Sequence, residues 1–397
     1  MRPSGNAPVR AALPRTVVVL GLVSLLNDSA SEMITPLLPV FLTAALGAGP
    51  MIVGFIEGLA EATASVLKLV AGRLVDRGVP AKGLVIGGYG LSNLGRPLIG
   101  LAAGWVVVLP LRFLDRVGKG LRTAPRDALI AGAVPPEQRG RAFGFHRSMD
   151  HAGAVIGPLL AFALLSAQVD LRNVFLASAV PGVLVILLLA FGLPAHQAVP
   201  AMPPPRFAWR ALHGRLRAMI VASGLLALAS VPEVFVVLWA TQSGMAVTWV
   251  PLVWAVASLA KMLIALPAGI LSDRLGRLPL LLGGWCARVA VLLALAFLQP
   301  GAVGVWVLFV AYSATLAVTE PAERSLIGDH AADRERGTAF GLYHLASGLL
   351  VLPGAVLFGA LWQELGSAVA FAAAAVVTVV AAGAMLGIGA RGHAGGQ

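Results

Sequence analysis

Long apolar runs separated by short polar segments recur along the whole chain. A helix that spans a membrane needs about 20 predominantly apolar residues. By that rule the sequence predicts about twelve spanning helices, with approximate bounds 16–42, 51–74, 81–104, 105–128, 141–166, 173–193, 217–240, 248–271, 278–298, 302–322, 337–362 and 367–389. The fourth and tenth spans are the least apolar, so we expect a hydropathy criterion alone to miss them.

Composition supports this interpretation. Of 397 residues, 58% are hydrophobic and 12% are charged, whereas soluble domains carry about 25% charged residues. The sequence therefore predicts an all-α integral membrane protein. Arg10 and Arg15 precede the first apolar run as they would in a signal peptide. No small-residue cleavage site follows, so we expect the first helix to be retained.

The basic excess of the chain does not predict nucleic-acid binding. The formal charge is +11, but Lys and Arg stand in short segments between apolar spans and not on one face or tail. The single Cys286 allows neither an internal disulfide nor a cysteine metal site. The chain contains no Gly-rich phosphate loop and no His-Glu-x-x-His pattern. We therefore expect no enzyme, no ATP-driven pump, no cofactor and no metal.

Lys and Arg also predict the orientation of the chain, because cytoplasmic loops are enriched in them. The loops on one side hold Arg73, Arg77, Lys82, Arg126, Arg139, Arg141, Arg206, Arg210, Arg215, Arg217, Arg274, Arg277, Arg324, Arg334 and Arg336. The opposite loops hold essentially Arg172 alone. We expect a multi-pass protein of a bacterial inner membrane with both termini in the cytoplasm.

The longest polar interruption lies at the middle of the chain. Residues 194–216 are rich in Pro and Arg, which predicts a cytoplasmic linker. We expect this linker to join two six-helix bundles, formed by residues 1–193 and 217–397.

The two predicted bundles also repeat in sequence. The segment AGRLVDRG at 71–78 recurs as AGILSDRLG at 268–276, and RGRAFGFH at 139–146 recurs as RGTAFGLY at 336–343. Both pairs share one offset, and so do PRDALI and AERSLI between them. A single offset held over nearly a hundred residues indicates a duplication, with the bundles related by an axis along the membrane normal.

Twelve helices, a duplicated half and a repeated loop motif resemble the major facilitator superfamily. The superfamily signature Gly-x-Leu-x-Asp-Arg-x-Gly-Arg is met in the second half by Gly269, Leu271, Asp273, Arg274, Gly276 and Arg277. The first half keeps Gly72, Leu74, Asp76 and Arg77, but its spacing to the next basic residue is shorter. The segment RVGKGLRTAPRDALI is similar to an uncharacterised bacterial branch of that superfamily. The resemblance implies a secondary transporter that works by alternating access.

Two groups of residues are predicted to control gating. The loop motifs contribute Gly72, Asp76, Arg77, Gly269, Asp273 and Arg274. An Asp at a cytoplasmic helix end can bond the N-terminus of a neighbouring helix and close the inner side, although an ordinary capped turn would look the same. The fifth span contributes Gly153, Gly157 and Pro158, a pattern that the superfamily associates with exporters. The glycines predict close helix contact, and the proline predicts a bend.

Charged residues interrupt several apolar spans, although an isolated charge there costs about 2.5–3.5 kcal/mol on insertion scales. Four acids on the first two spans lie at similar depths near the midplane and are the predicted proton-coupling residues: Asp28, Glu32, Glu57 and Glu61. The fourth span carries a polar stripe at helical spacing, formed by Arg112, Asp115, Arg116, Lys119 and Arg122. We expect the acids to pair with this stripe. A purely structural set of ion pairs is the alternative interpretation.

The predicted substrate-binding residues combine this stripe with polar groups at the centre of both halves. They are Asn27, Arg112, Asp115, Arg116, Lys119, His146, Asp150, Lys261, Tyr312 and Tyr343. His146 and His151 with Asp150 could ligate a metal, but a hydrogen-bonding or proton-relay role is favoured over it.

The sequence therefore predicts a monomeric secondary transporter that exports a small organic or drug-like compound by proton antiport. One alternative is a carrier of an anionic metabolite or a metal chelate, which would use the basic stripe of the fourth span. Another is a lipid scramblase or a receptor-like scaffold that transports nothing. The paired loop motifs favour alternating access over this last alternative.

Overall fold

The computed structural model describes residues 12–135, 138–193, 214–330 and 336–394. Helix dominates these residues and no strand occurs among them, which confirms the all-α class. The helices are α1 (Arg15–Ile34), α2 (Leu38–Val40), α3 (Pro50–Asp76), α4 (Ala81–Leu98), α5 (Trp105–Gly132), α6 (Arg139–Ser166), α7 (Leu171–Ala177), α8 (Ala179–Gly192), α9 (Gly214–Ala229), α10 (Glu233–Gln242), α11 (Val250–Leu275), α12 (Arg277–Phe297), α13 (Ala302–His330), α14 (Arg336–Leu365) and α15 (Ser367–Ala394).

Each predicted span overlaps one of these helices or a pair of consecutive ones. Within the described residues, 10 helical stretches are long and apolar enough to cross a membrane. Helix α5 is not among them, as predicted for the fourth span, because its polar stripe lowers its hydropathy. The prediction for the tenth span was wrong, since 302–327 meets the criterion. The third span is the one that does not meet the hydropathy criterion, because α4 contains Lys82 and Arg96, which lower its mean hydropathy.

The predicted linker at 194–216 lies largely outside the described residues. Helix α9 begins at Gly214, within the last three positions assigned to that linker. The division of the chain into 1–193 and 217–397 stays a prediction.

Prolines break two helices next to an acidic residue. Helix α1 ends at Ile34, and Pro36 and Pro39 follow before a π-helical segment at Phe41–Ala45. Proline cannot donate a backbone hydrogen bond and clashes with the preceding turn, so the helix stops there. A second break separates α9 from α10, with Pro232 as the N-terminal cap residue of α10. These breaks leave Glu32 in the last turn of α1 and Glu233 at the start of α10.

Helices α1 and α6 pack closely through two glycines. A Cβ atom at Gly153 would lie 2.9 Å from Asp28 Cβ, and one at Gly157 would lie 3.0 Å from Met33 N. The predicted close contact of these glycines is therefore confirmed, and Pro158 lies buried inside the same helix. The loop-motif glycines are less crowded, because among the described residues a Cβ atom at Gly269 would meet no atom within 4 Å and one at Gly72 would lie 3.6 Å from Ala124 Cβ.

One end of the helix bundle is sealed by apolar packing. Helix α2 contacts α10, and α3 packs along α14. The ring centroids of Phe235 in α10 and Phe358 in α14 are 4.7 Å apart. Gly58 of α3 approaches Leu352 so closely that a Cβ there would lie 2.8 Å from Leu352 Cα. This end is therefore closed to water by a continuous hydrophobic cluster.

The α1–α6 contact can be tested with two glycine substitutions. We expect Gly157→Ala to lower the free energy of unfolding by about 1–3 kcal/mol, because the added Cβ enters a filled space. Gly90→Ala is the matched control, since Gly90 lies inside α4 with nothing within 4 Å. It should be neutral or stabilise by up to about 1 kcal/mol. Thermal unfolding in detergent measures both, and equal melting temperatures for the two variants would contradict the packing.

Candidate functional site

A cavity of about 980 Å³ lies between α1, α3, α5 and α6, with α10 and α11 at its far side. It opens where α3 and α5 end and α6 begins, opposite the sealed end. Acidic and basic side chains line this central cavity in equal number. The acids are Asp28, Glu32, Glu57, Glu61, Asp127, Asp150 and Glu233, and the Lys and Arg residues are Lys68, Arg96, Arg116, Lys119, Arg122, Arg126 and Arg147.

A bidentate ion pair between Glu57 and Arg112 joins α3 to α5 at the depth of the cavity floor. Arg112 Nε lies 2.9 Å from Glu57 Oε1, and Arg112 Nη2 lies 3.0 Å from Glu57 Oε2. Only 1% of the Arg112 side chain is exposed. Parallel hydrogen bonds of this kind are the strongest form of ion pair. The expected pairing between the acids of the second span and the basic stripe is therefore confirmed for these two residues.

Asp115 extends this pair into a network across four helices. Its carboxylate lies 2.8 Å from Arg96 Nε, 3.2 Å from Arg112 Nη1 and 3.7 Å from Arg116 Nε. Arg96 Nη1 in turn donates to Asn27 Oδ1 of α1 at 2.9 Å. Arg96 was not among the site residues predicted from the sequence. Its spacing from Ser92 and Asn93 on one helical face was the available signal.

Five predicted substrate-binding residues line neither the central cavity nor the side pocket described below. Arg112, Asp115 and Asn27 lie behind the wall, where the network just described uses their polar atoms. Tyr312 is buried, and its hydroxyl donates to the Val231 carbonyl at 2.5 Å. Tyr343 belongs to a separate apolar cluster. The polar groups of the second half therefore serve the packing of that half more than the predicted site.

One wall of the cavity is formed by Arg116, Lys119 and Arg122 of α5, which we call the basic wall. Arg122 is anchored by neutral groups, because its Nη1 donates to Ser92 Oγ at 2.6 Å and its guanidinium lies 4.5 Å from the ring centre of Tyr89. Ser92 itself donates to the Asp115 carbonyl at 2.8 Å. Helix α4 therefore supports the basic wall from behind.

The facing wall is formed by Asp28, Glu32 and Asp150, which we call the acidic wall. Asp28 accepts a hydrogen bond from Asn27 Nδ2 at 2.9 Å and has no Lys, Arg or His nitrogen within 4 Å among the described residues. Glu32 accepts one from Trp254 Nε1 of α11 at 2.9 Å. These two acids are therefore held by neutral donors, in contrast to Glu57.

Asp150 is the most engaged acid of this wall. It accepts a hydrogen bond from the Ser24 hydroxyl and lies 3.6 Å from His146 Nδ1 and 3.5 Å from Arg147 Nη1. In the described part of the chain, no three His, Cys, Asp or Glu side chains are grouped to hold a metal ion. His146 and Asp150 are thus neighbours within ion-pair distance, and both line the cavity.

A side pocket of about 380 Å³ continues from the central cavity between α11 and α13. It contains Lys261, whose Nζ donates to both carboxylate oxygens of Glu233 at 2.8 and 3.0 Å. Ser313 Oγ donates to the same carboxylate at 2.6 Å. The structure thus brings Lys261 to the site as predicted, but with its charge already paired.

The two loop motifs differ in their contacts in this conformation. Asp273 pairs with Arg277 at the start of the next helix, and 66% of the Asp273 side chain is exposed. Asp76 has no hydrogen bond or ion pair within the described residues, and Arg77 and Arg274 are exposed. The gating role predicted for these residues stays a prediction.

Comparison with known proteins places these features in context. The family model described as the Major Facilitator Superfamily matches residues 20–311 and 234–393. An uncharacterised transporter of that type from Methanocaldococcus jannaschii is 30% identical over 88% of this chain and 89% of its own length. The multidrug resistance protein MdtH of Salmonella typhi is 28% identical over 84% and 83%. A bacterial homologue of the human lysosomal transporter Spinster, crystallised inward-facing and occupied, superposes with a TM-score of 0.75 at 17% identity over 94% and 96%.

The pair between Glu57 and Arg112 generates a double-mutant test. We expect Glu57→Gln to destabilise the protein by about 3–5 kcal/mol, because it leaves a buried guanidinium partly uncompensated. The double variant Glu57→Gln with Arg112→Gln should recover expression and melting temperature. The control is Asp127→Asn, whose pair with Arg126 is 44% exposed on the acid side and should contribute at most about 1 kcal/mol. If the double variant is no more stable than Glu57→Gln, the two residues are not energetic partners.

Proposed function

The chain belongs to the major facilitator superfamily, and we propose that it exports a small charged organic solute in exchange for protons. The family is one of transporters rather than enzymes. The observation that carries the proposal is the composition of the central cavity, where Asp28 and Glu32 face the open space without a cation within 4 Å. An acid of this kind can take up and release a proton as the cavity changes sides.

The shape of the cavity supports alternating access. It is open at one end of the bundle, and the apolar cluster around Phe235 and Phe358 closes the other. The open end carries the Arg-rich loops, which the positive-inside rule assigns to the cytoplasm. The conformation described is then inward-facing. In the outward-facing state, the α3–α14 contact would separate and the opposite ends would meet.

Proton coupling is assigned most directly to Asp28. Glu57 accepts hydrogen bonds from Nε and Nη2 of Arg112, so its carboxylate is already paired with a cation. Asp28, Glu32 and Glu61 have no such partner among the described residues. Asp28 also stands where Gly153 of α6 packs on α1, so its surroundings change if these helices move. In antiport a proton and a basic group of the solute would use this acid in turn.

The nature of the solute follows from the cavity walls. A volume of about 980 Å³ suits a drug-sized molecule. Charged groups dominate the lining, so the solute is polar and charged rather than apolar. The relationship to a multidrug resistance protein supports export as the direction.

The gate completes the proposed cycle. We assign it to the loop motifs around Asp76 and Asp273, whose carboxylates would bond neighbouring helix ends in the closed state. Residues 1–193 and 217–397 would move as the two bundles. A single protomer contains every element of this cycle, so the proposed functional unit is a monomer in the bacterial inner membrane.

The proposal is tested by Asp28→Asn, which is nearly isosteric but removes the titratable group. Protein is reconstituted in proteoliposomes with a trapped pH-sensitive dye, and a panel of organic amines, amino acids and organic acids is applied. For any compound that drives proton flux in the wild type, Asp28→Asn should abolish accumulation driven by a pH gradient. Exchange of the compound at equal pH should survive.

The matched control is Asp170→Asn, an exposed acid in the loop before α7, which should behave as the wild type. Full gradient-driven transport by Asp28→Asn would refute the coupling role of Asp28. Loss of both activities with a lowered melting temperature would show that Asp28 is a structural residue. Absence of compound-driven proton flux in the wild type would contradict the proton-coupled function itself.

A further inference from the structure

The basic wall holds a buried guanidinium that the protein does not satisfy. Arg116 is 8% exposed and lines the central cavity, yet its buried Nε has no hydrogen-bond partner among the described residues. Among the described residues, the only carboxylate within 4 Å of Arg116 is that of Asp115, at 3.7 Å, and it already accepts hydrogen bonds from Arg96 and Arg112. A buried polar group without a partner is costly, so a ligand that supplies one is favoured there.

The neighbouring cations of this wall are also without an acid. Lys119 and Arg122 have no carboxylate oxygen within 4 Å in the part of the chain that the structure describes. Together with Arg116 they follow a spacing of three residues along α5, so successive side chains are close neighbours on one helical face. Three adjacent positive charges in a low-dielectric setting repel one another. An anion at this wall would relieve that repulsion.

The donor chemistry matches an oxyanion. Guanidinium groups bind carboxylate, sulfate and phosphate through parallel hydrogen bonds, and an ammonium group adds a point charge. The acids nearest across the cavity are Asp28 and Glu61, neither of which reaches the wall as an ion-pair partner. The protein therefore does not neutralise its own basic wall.

We propose that the basic wall is an oxyanion-binding subsite, so that the transported solute carries a carboxylate-, sulfate- or phosphate-type group. This step rests on the proposed function, which places a solute in the central cavity. A group bound at Arg116 and Lys119 would leave the opposite part of the solute facing Asp28 and Glu32. A basic group on that part of the solute would alternate with a proton at these acids, so the solute would be amphoteric.

Inorganic sulfate is the probe. Melting temperatures of the full-length protein in detergent are measured in sodium sulfate and in sodium chloride at equal ionic strength. Sulfate should raise the melting temperature of the wild type in a saturable way, beyond chloride. Lys119→Gln should weaken the apparent sulfate affinity about tenfold, the loss expected for one charged hydrogen bond. Arg116→Gln should do the same, and Arg116→Lys should retain part of the effect.

Lys119 makes no ion pair with any residue that the structure describes, so Lys119→Gln should fold even if Arg116→Gln does not. The matched control is Arg147→Gln, a cavity cation with a side chain 64% exposed, which should bind sulfate as the wild type does. Equal effects of sulfate and chloride on the wild type would overturn the proposal, and so would unchanged sulfate affinity in Lys119→Gln. Asp28→Asn should still bind sulfate. Its loss of gradient-driven transport bears on coupling, and sulfate binding bears on the subsite, so the two proposals fail separately.

Discussion

The buried ion pair between Glu57 of α3 and Arg112 of α5 is the interaction on which the arrangement of the cavity depends. A charge removed from water needs a partner at close range, because an uncompensated one is strongly destabilising. Asp115 extends the pair to Arg96, and Arg96 extends it to Asn27. Helices α1, α3, α4 and α5 are thus joined at one depth. These pairs fix the helices that carry the acidic wall and the basic wall. The walls therefore keep their shape although several of their charges have no ion-pair partner among the described residues.

The fixed and the unpaired charges have different consequences for movement. A paired group already has its partner at close range, so it holds the helices that carry the pair together. Asp28, Glu32 and the basic wall can change their partners, because water, protons or a solute can replace what faces them. The Glu32–Trp254 hydrogen bond joins α1 to α11, and it is a contact that the proposed movement of the bundles would break and remake. Stability and transport are in this sense carried by separate sets of side chains in one cavity.

Sequence alone predicted the helices and the pairing of the second span with the polar stripe. These follow from local rules, since hydropathy and helical spacing are properties of short segments. The side-chain environments of Tyr312, Arg96 and Trp254 did not follow. Each depends on which helix lies opposite, and an apolar helix can face lipid, core or cavity with the same composition. The acidic and basic walls were predicted as residues, but which of those residues are already paired was visible only in three dimensions.

Alternating access requires that the open end of the bundle close while the sealed end opens. The most direct measurement is the distance between paired spin labels by double electron–electron resonance, after Cys286→Ser removes the single native cysteine. One pair, at the exposed positions Val79 and Leu275, reports the open end, and another, at Met51 and Leu365, reports the sealed end. We expect a change of pH to shorten the Val79–Leu275 distance in a fraction of the molecules and to lengthen the Met51–Leu365 distance in the same fraction. Distances that stay single and constant at both ends across pH would contradict it.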